Sequence, residues 1–107
     1  YIDDCAIAIK KAVEIDTTPH PINIGTGSEC RIDDLAGKIA RMMNYKGYIG
    51  FNTNSLDGQP RRCLDTSRAS KVLGFEAKTD LDRGLRDTIS WYYKNKEKFV
   101  DYFDSIQ

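Results

Sequence analysis

No stretch of this sequence stays apolar for anything near the roughly 20 residues that a membrane-spanning helix needs. No basic-then-apolar segment opens it, as a secretory leader would. The three cysteines, Cys5, Cys30 and Cys63, are odd in number and lack C-x-x-C spacing. A disulfide framework and a zinc site are therefore not expected, and the thiols read as reduced and mostly packed. His20 is the only histidine. With no second imidazole to share a metal and no nucleophile pattern nearby, it reads as a surface loop residue between Pro19 and Pro21. Charge of one sign is also missing, since 16 basic residues balance 16 acidic ones. General attraction to nucleic acid or to a membrane is not expected. Neither G-x-G-x-x-G nor G-x-x-x-x-G-K-[ST] occurs, so no complete phosphate-cradling loop is encoded. What remains is the profile of a cytoplasmic protein.

The 107 residues, 40% hydrophobic and 30% charged, suit one small domain, able to bury roughly 65% of its unfolded surface. Tyr1 is not a methionine, and Tyr1-Ile2 reads as a strand end leading into a helix. The chain is thus expected to be a piece of something longer.

Asp3 or Asp4 can cap a helix over residues 3–15, in which Ala6, Ile9, Val13 and Ala8, Ala12, Ile15 form two candidate stripes. Carboxylates suit the positive end of a helix dipole, so this pair reads as structural rather than catalytic. Pro19 and Pro21 make residues 16–21 a loop. Residues 21–24 alternate as a short strand, and Gly25-Thr-Gly-Ser28 turns the chain. A tight turn is the first reading there and an anion cradle the second. The spacing of Ile32, Leu35, Ala36, Ile39, Ala40 and Met43 predicts an amphipathic helix over 32–43, packed on a sheet. It ends in residues 44–47, before a second strand at 48–51.

Asp65 before Thr66-Ser67 marks the start of a short helix that Gly74 ends in the left-handed conformation. Thr79-Asp-Leu-Asp82 is an acidic capping box for a last helix running to about residue 94. Phe99, Tyr102 and Phe103 suggest a further turn. Tyr92-x-x-x-Lys96 has the spacing by which short-chain dehydrogenases lower a tyrosine pKa. Tyr92, however, falls on the apolar stripe with Leu81, Leu85 and Ile89, and no cofactor loop accompanies it, so the aromatic face reads as packing. The pattern as a whole is α/β, with short strands and about four helices.

Residues 56–65 look built for a ligand. Asp57-Gly58 turns, Pro60 fixes φ, and Arg61 and Arg62 then point to different sides. One can pair internally while the other grips a planar anion bidentately, as phosphate requires. On residue types alone, a solvated turn with a surface ion pair is the simpler reading.

Context changes that balance. Tyr1-Ile-Asp-Asp-Cys-Ala, Ile22-Asn-Ile-Gly-Thr-Gly, Ile32-Asp-Asp-Leu-Ala, Asp57-Gly-Gln-Pro-Arg-Arg-Cys-Leu-Asp, Leu73-Gly-Phe and Gly84-Leu-Arg-Asp-Thr-Ile-Ser-Trp-Tyr follow in order over nearly the whole chain. Together they resemble the C-terminal part of extended short-chain dehydrogenases acting on nucleotide sugars, the NAD-dependent epimerase/dehydratase family. The Asp57–Arg62 loop is most like that of the GDP-L-fucose synthases. The resemblance implies that residues 1–107 form the substrate-binding C-terminal portion of a Rossmann-type enzyme. NADP or NAD would be bound by an N-terminal domain absent from this chain, and the full-length enzyme would be a homodimer. It further implies that Arg62 contacts the nucleotide diphosphate, with Arg61 and Asp57 carried over less firmly, and that the fragment alone is inactive because the catalytic residues lie upstream. Arg31 departs from the usual Ser or Thr cap, and Asn52 and Ser55 replace residues often acidic and basic in fucose synthases. The rival reading is a free-standing, non-catalytic protein-interaction module.

Overall fold

The computed structural model describes residues 1–15, 20–52, 54 and 58–99. Among them are four α-helices: α1 (Ile2–Val13), α2 (Ile32–Met42), α3 (Ser67–Leu73) and α4 (Leu81–Asn95), the last followed by a 3₁₀ turn (Lys96–Phe99). No strand occurs among the described residues, which corrects the α/β expectation. The reason lies in what a strand is. Alternation selects which side chains turn inward, but a strand also needs a backbone partner to complete its ladder.

Residues 21–24 illustrate the difference. Ile22 and Ile24 do pack against the core, yet the segment is tied to its neighbour by side chains. It runs alongside residues 61–68 in the opposite direction. Arg68 Nη1 donates to the Pro21 carbonyl at 3.3 Å, Asn23 Nδ2 to the Asp65 carbonyl at 3.2 Å, and Cys63 Sγ to the Gly27 carbonyl at 3.3 Å. No backbone ladder links the two segments among the described residues. Residues 48–51, the second expected strand, are exposed and likewise lack a ladder.

Local signals set the helix ends more accurately. Gly74 takes φ 57° and ψ 35°, its N–H donates to the Ser70 carbonyl at 3.1 Å and Phe75 N reaches back to the Ala69 carbonyl at 3.2 Å, which closes α3 with a left-handed cap. Asn44 does the same for α2 at φ 53°, with Tyr45 N bonded to the Ala40 carbonyl at 2.9 Å. Asp80, rather than Thr79, caps α4 by accepting from Arg83 N at 2.8 Å. Asp65 accepts from Ser67 N at 2.9 Å just ahead of α3. Neither Asp3 nor Asp4 caps α1, whose first position follows Tyr1 without a side-chain bond.

The core is small: Ala8 of α1, Ala69 and Leu73 of α3, and Phe75. Of the two candidate stripes on α1, the one through Ala8 and Ala12 faces it, while Ile9 and Val13 face solvent. Lys11 crosses from α1 to the open end of α3 and donates to the Leu73 and Gly74 carbonyls at 3.3 and 3.0 Å. A cation there meets the negative end of the helix dipole and satisfies carbonyls that α3 leaves free. The helix α2 packs on α4 instead of on a sheet, with Lys38 Nζ paired to Asp82 Oδ1.

Asp4 is the one buried polar residue among those described. Its carboxylate accepts from Thr79 N at 2.9 Å and so ties α1 to the segment entering α4. That backbone bond holds its pKa below the ordinary 3.8. Asp65 and Asp80 are lowered for the same reason, by the Ser67 and Arg83 amides. A carboxylate whose folded pKa is depressed contributes stability that is present above the unfolded value and is lost as pH falls through the folded one. Stability is therefore expected to be flat above about pH 5 and to drop as pH falls below 3.8. In Asp4→Asn that drop shrinks, which chemical denaturation at stepped pH would measure; an unchanged slope would remove Asp4 from the account.

Candidate functional site

Residues 29–33, leading into α2, and residues 58–62 face one another across a cleft of about 800 Å³, with Phe51 on a further side. A turn at residues 25–28 leads into the first of these segments, and Pro60 lies within the second. Gly27 sits at φ 70°, where an L side chain is strained, and Thr26 Oγ1 accepts from Ser28 N at 3.1 Å, so residues 25–28 form a tight turn, the first of the two readings of that stretch. The turn aims residues 29–31 at the arginine loop.

The cleft contains three guanidiniums in two different electrostatic situations. Arg61 is engaged by Glu29: Arg61 Nε donates to both carboxylate oxygens at 2.7 and 2.8 Å, and Nη2 donates to Oε2 at 2.6 Å. Arg31 donates through Nε and Nη2 to the two Asp33 oxygens at 2.9 and 2.5 Å. These bonds raise both arginine pKa values, and Arg31 lowers that of Asp33. Arg62 is exposed and makes no ion pair among the described residues. The lining thus carries three cations, two of which have a carboxylate in their fork, and one cation facing open solvent.

Chemically, this arrangement can accept an anion. A free guanidinium offers parallel N–H donors to phosphate oxygens, the neighbouring carboxylates keep the net charge of the cleft small, and Phe51, 72% exposed, offers an apolar ring face. Of the three expected site residues, Arg61 and Arg62 lie on one cleft, and Asp57 falls outside the described residues. Glu29, Arg31, Asp33 and Phe51 were not anticipated as site residues. The alternating charges at 29, 31 and 33 are visible in the sequence, but nothing local says that they face a loop some thirty residues further on.

Two other expectations change. Cys30 and Cys63 are exposed rather than packed; Cys30 lines the cleft and Cys63 follows Arg62. The aromatic face of α4 is about half exposed, with Tyr92 and Tyr93 in edge contact at 5.7 Å and Lys96 over the Tyr93 ring. Three cysteines are free, no helix among the described residues is long and apolar enough to cross a membrane, and His20 is exposed.

GDP-L-fucose synthase of Escherichia coli (strain K12) is 35% identical over 108 aligned residues, covering 92% of this chain and 33% of that protein. GDP-L-fucose synthase 1 of Arabidopsis thaliana is 33% identical over 95 residues, 89% of this chain and 29% of that protein. The trifunctional UDP-glucose 4,6-dehydratase/UDP-4-keto-6-deoxy-D-glucose 3,5-epimerase/UDP-4-keto-L-rhamnose-reductase of the same plant is 32% identical over 103 residues, 94% of this chain and 15% of that protein. No family model and no solved structure matches. The chain spans a third or less of the length of these relatives. The resemblance read from the motifs holds: this chain is homologous to a segment of the GDP-L-fucose synthases and of related nucleotide-sugar epimerase/reductases.

Proposed function

We propose that this chain is the substrate-binding portion of an NAD(P)-dependent nucleotide-sugar epimerase/reductase of the GDP-L-fucose synthase kind, and that its cleft holds the diphosphate of the nucleotide sugar. The observation that carries this reading is Arg62, a guanidinium without an ion pair among the described residues, on the wall of an 800 Å³ cleft. Homology to enzymes named for GDP-L-fucose supports the choice of ligand. Gripping the diphosphate fixes the attached sugar in space, and such positioning lowers the barrier for whatever chemistry acts on it.

The nicotinamide cofactor, NADP or NAD, supplies the hydride exchange in enzymes of this type. The residues of this chain do not fit its site: there is no glycine-rich dinucleotide loop, and the cleft offers arginine forks rather than a helix-opening glycine turn. The cofactor, the proton-transferring groups and the homodimer contact are accordingly assigned to other parts of a longer protein, in a cytoplasmic enzyme.

The test is a calorimetric titration of the full-length protein with GDP, GMP and guanosine. Affinity is expected to fall stepwise as phosphates are removed, and the GDP affinity to weaken with added salt. Equal affinity for GDP and guanosine would exclude a diphosphate site in this cleft.

A second reading has one observation in its favour. Ile39, Met43, Tyr45, Ile49 and Tyr93 line an apolar groove of about 620 Å³ between α2 and α4, the kind of surface that takes a partner helix or chain. The reading frame upstream of the Tyr1 codon separates the two. A glycine-rich first turn and a later Tyr-x-x-x-Lys support the enzyme, and a start codon adjacent to Tyr1 supports a protein-interaction module.

A further inference from the structure

The contact between Glu29 and Arg61 places an internal carboxylate where a ligand's phosphate would bind. Both oxygens of Glu29 sit in the Nε/Nη2 edge of the guanidinium, the same planar, two-pronged arrangement that a phosphate oxygen pair adopts on arginine. Glu29 therefore acts as a chemical stand-in for an anionic ligand within the cleft that it lines. The pair is open to water, with the Arg61 side chain 82% exposed and Glu29 34% exposed. Exposed pairs add little to folding stability, so this one can be exchanged without unravelling the loop.

Resting on the reading of this cleft as a diphosphate site, we infer that Glu29 is a specificity-determining residue. It occupies Arg61 in the free protein, so only a ligand with enough negative charge to displace it engages both Arg61 and Arg62. A single phosphate can be held by Arg62 alone. A diphosphate carries two phosphoryl groups and can displace Glu29 to reach the second fork. The cost of displacing the carboxylate falls on the ligand that reaches Arg61, so Glu29 holds back a diphosphate more than a single phosphate and sets how far the cleft prefers one to the other. Arg31 does not relieve the competition, because Asp33 fills its fork in the same way.

The experiment measures GDP and GMP binding by calorimetry, over a salt series, in full-length wild type, Glu29→Gln, Arg61→Ala and the double variant. Glutamine keeps the shape and removes the charge. Glu29→Gln is expected to tighten GDP binding about threefold to tenfold and to tighten GMP binding by a smaller factor, widening the ratio between them. The salt dependence should steepen, because one more uncompensated cation meets the ligand. In the double variant the gain disappears, since it acts through Arg61. Unchanged or weaker GDP binding in Glu29→Gln overturns the inference and assigns Glu29 to holding the loop, as does a gain that survives removal of Arg61. Those results leave the diphosphate reading intact as long as wild type still prefers GDP to guanosine. If that preference is missing, the diphosphate reading itself fails, and the inference fails with it.

Discussion

Replacing Arg62 by alanine is expected to weaken GDP binding by the full-length protein about tenfold to a hundredfold, the equivalent of about 1.5–3 kcal/mol for a hydrogen-bonded charge. Exposure to solvent places the effect toward the lower end. The same substitution should leave the melting temperature nearly unchanged, because Arg62 has no ion pair to lose among the described residues and does not belong to the core. Arg62→Lys should recover only part of the loss, since an ammonium keeps the charge but not the planar fork. Arg61→Ala should cost less than Arg62→Ala: Arg61 begins in the fork of Glu29, and its new bonds to the ligand are offset by the bonds it gives up. Wild-type affinity in Arg62→Ala, measured by the same titration, would move the anion elsewhere and reduce the loop to a solvated turn.

The order of these effects depends on a contact that the sequence does not reveal. That the loop is stiff and doubly cationic follows from Pro60 and the adjacent arginines, and both arginines do reach one cleft. Which of them is already occupied is decided by Glu29, brought in by the turn at Gly27 and by the antiparallel course of residues 21–29 and 61–68. Local chemistry was legible wherever the chain answers to its own neighbours. Gly74 and Asn44 end helices because they tolerate positive φ, and Asp65 and Asp80 satisfy amides within three residues of themselves. The expected strands were not realised because alternation at residues 21–24 and 48–51 describes one edge of a pairing whose other edge must be supplied from elsewhere. Asp4 is a further example. It looks like a helix cap by position, yet its partner is Thr79, far along the chain. The exposed Cys30 and Cys63 and the half-exposed face of α4 depart from the packing read into them for the same reason, since residue type states a preference and the neighbours decide.

The second large effect concerns the core. Phe75→Ala is expected to destabilise the protein by about 3–5 kcal/mol, the usual range for removing a buried phenylalanine. Phe75 is 4% exposed and is the one aromatic ring among the four buried apolar side chains, set against Ala8, Ala69 and Leu73. The two alanines let α1 and α3 approach closely, and the ring fills the remaining space at that junction, with Ile22 and Ile24 packed against the same cluster. Its backbone also closes the end of α3 on the Ala69 carbonyl, so the loss of packing loosens the helix end that Lys11 caps. Against a total stability of about 5–15 kcal/mol for an ordinary domain, such a loss is large. Urea denaturation followed by far-ultraviolet circular dichroism would measure it, with Val72→Ala, at a position 37% exposed, as the neighbouring control expected to cost about 1 kcal/mol or less. A cost below about 1 kcal/mol for Phe75→Ala would mean that the α1–α3 junction is not what holds the described helices together. Because α3 anchors Asp65 and Thr66 beside residues 23–27, the same variant should also weaken GDP binding. It would do so with a lowered melting temperature, whereas Arg62→Ala does so with the fold intact, and that contrast separates a residue that grips the ligand from one that supports the segment presenting it.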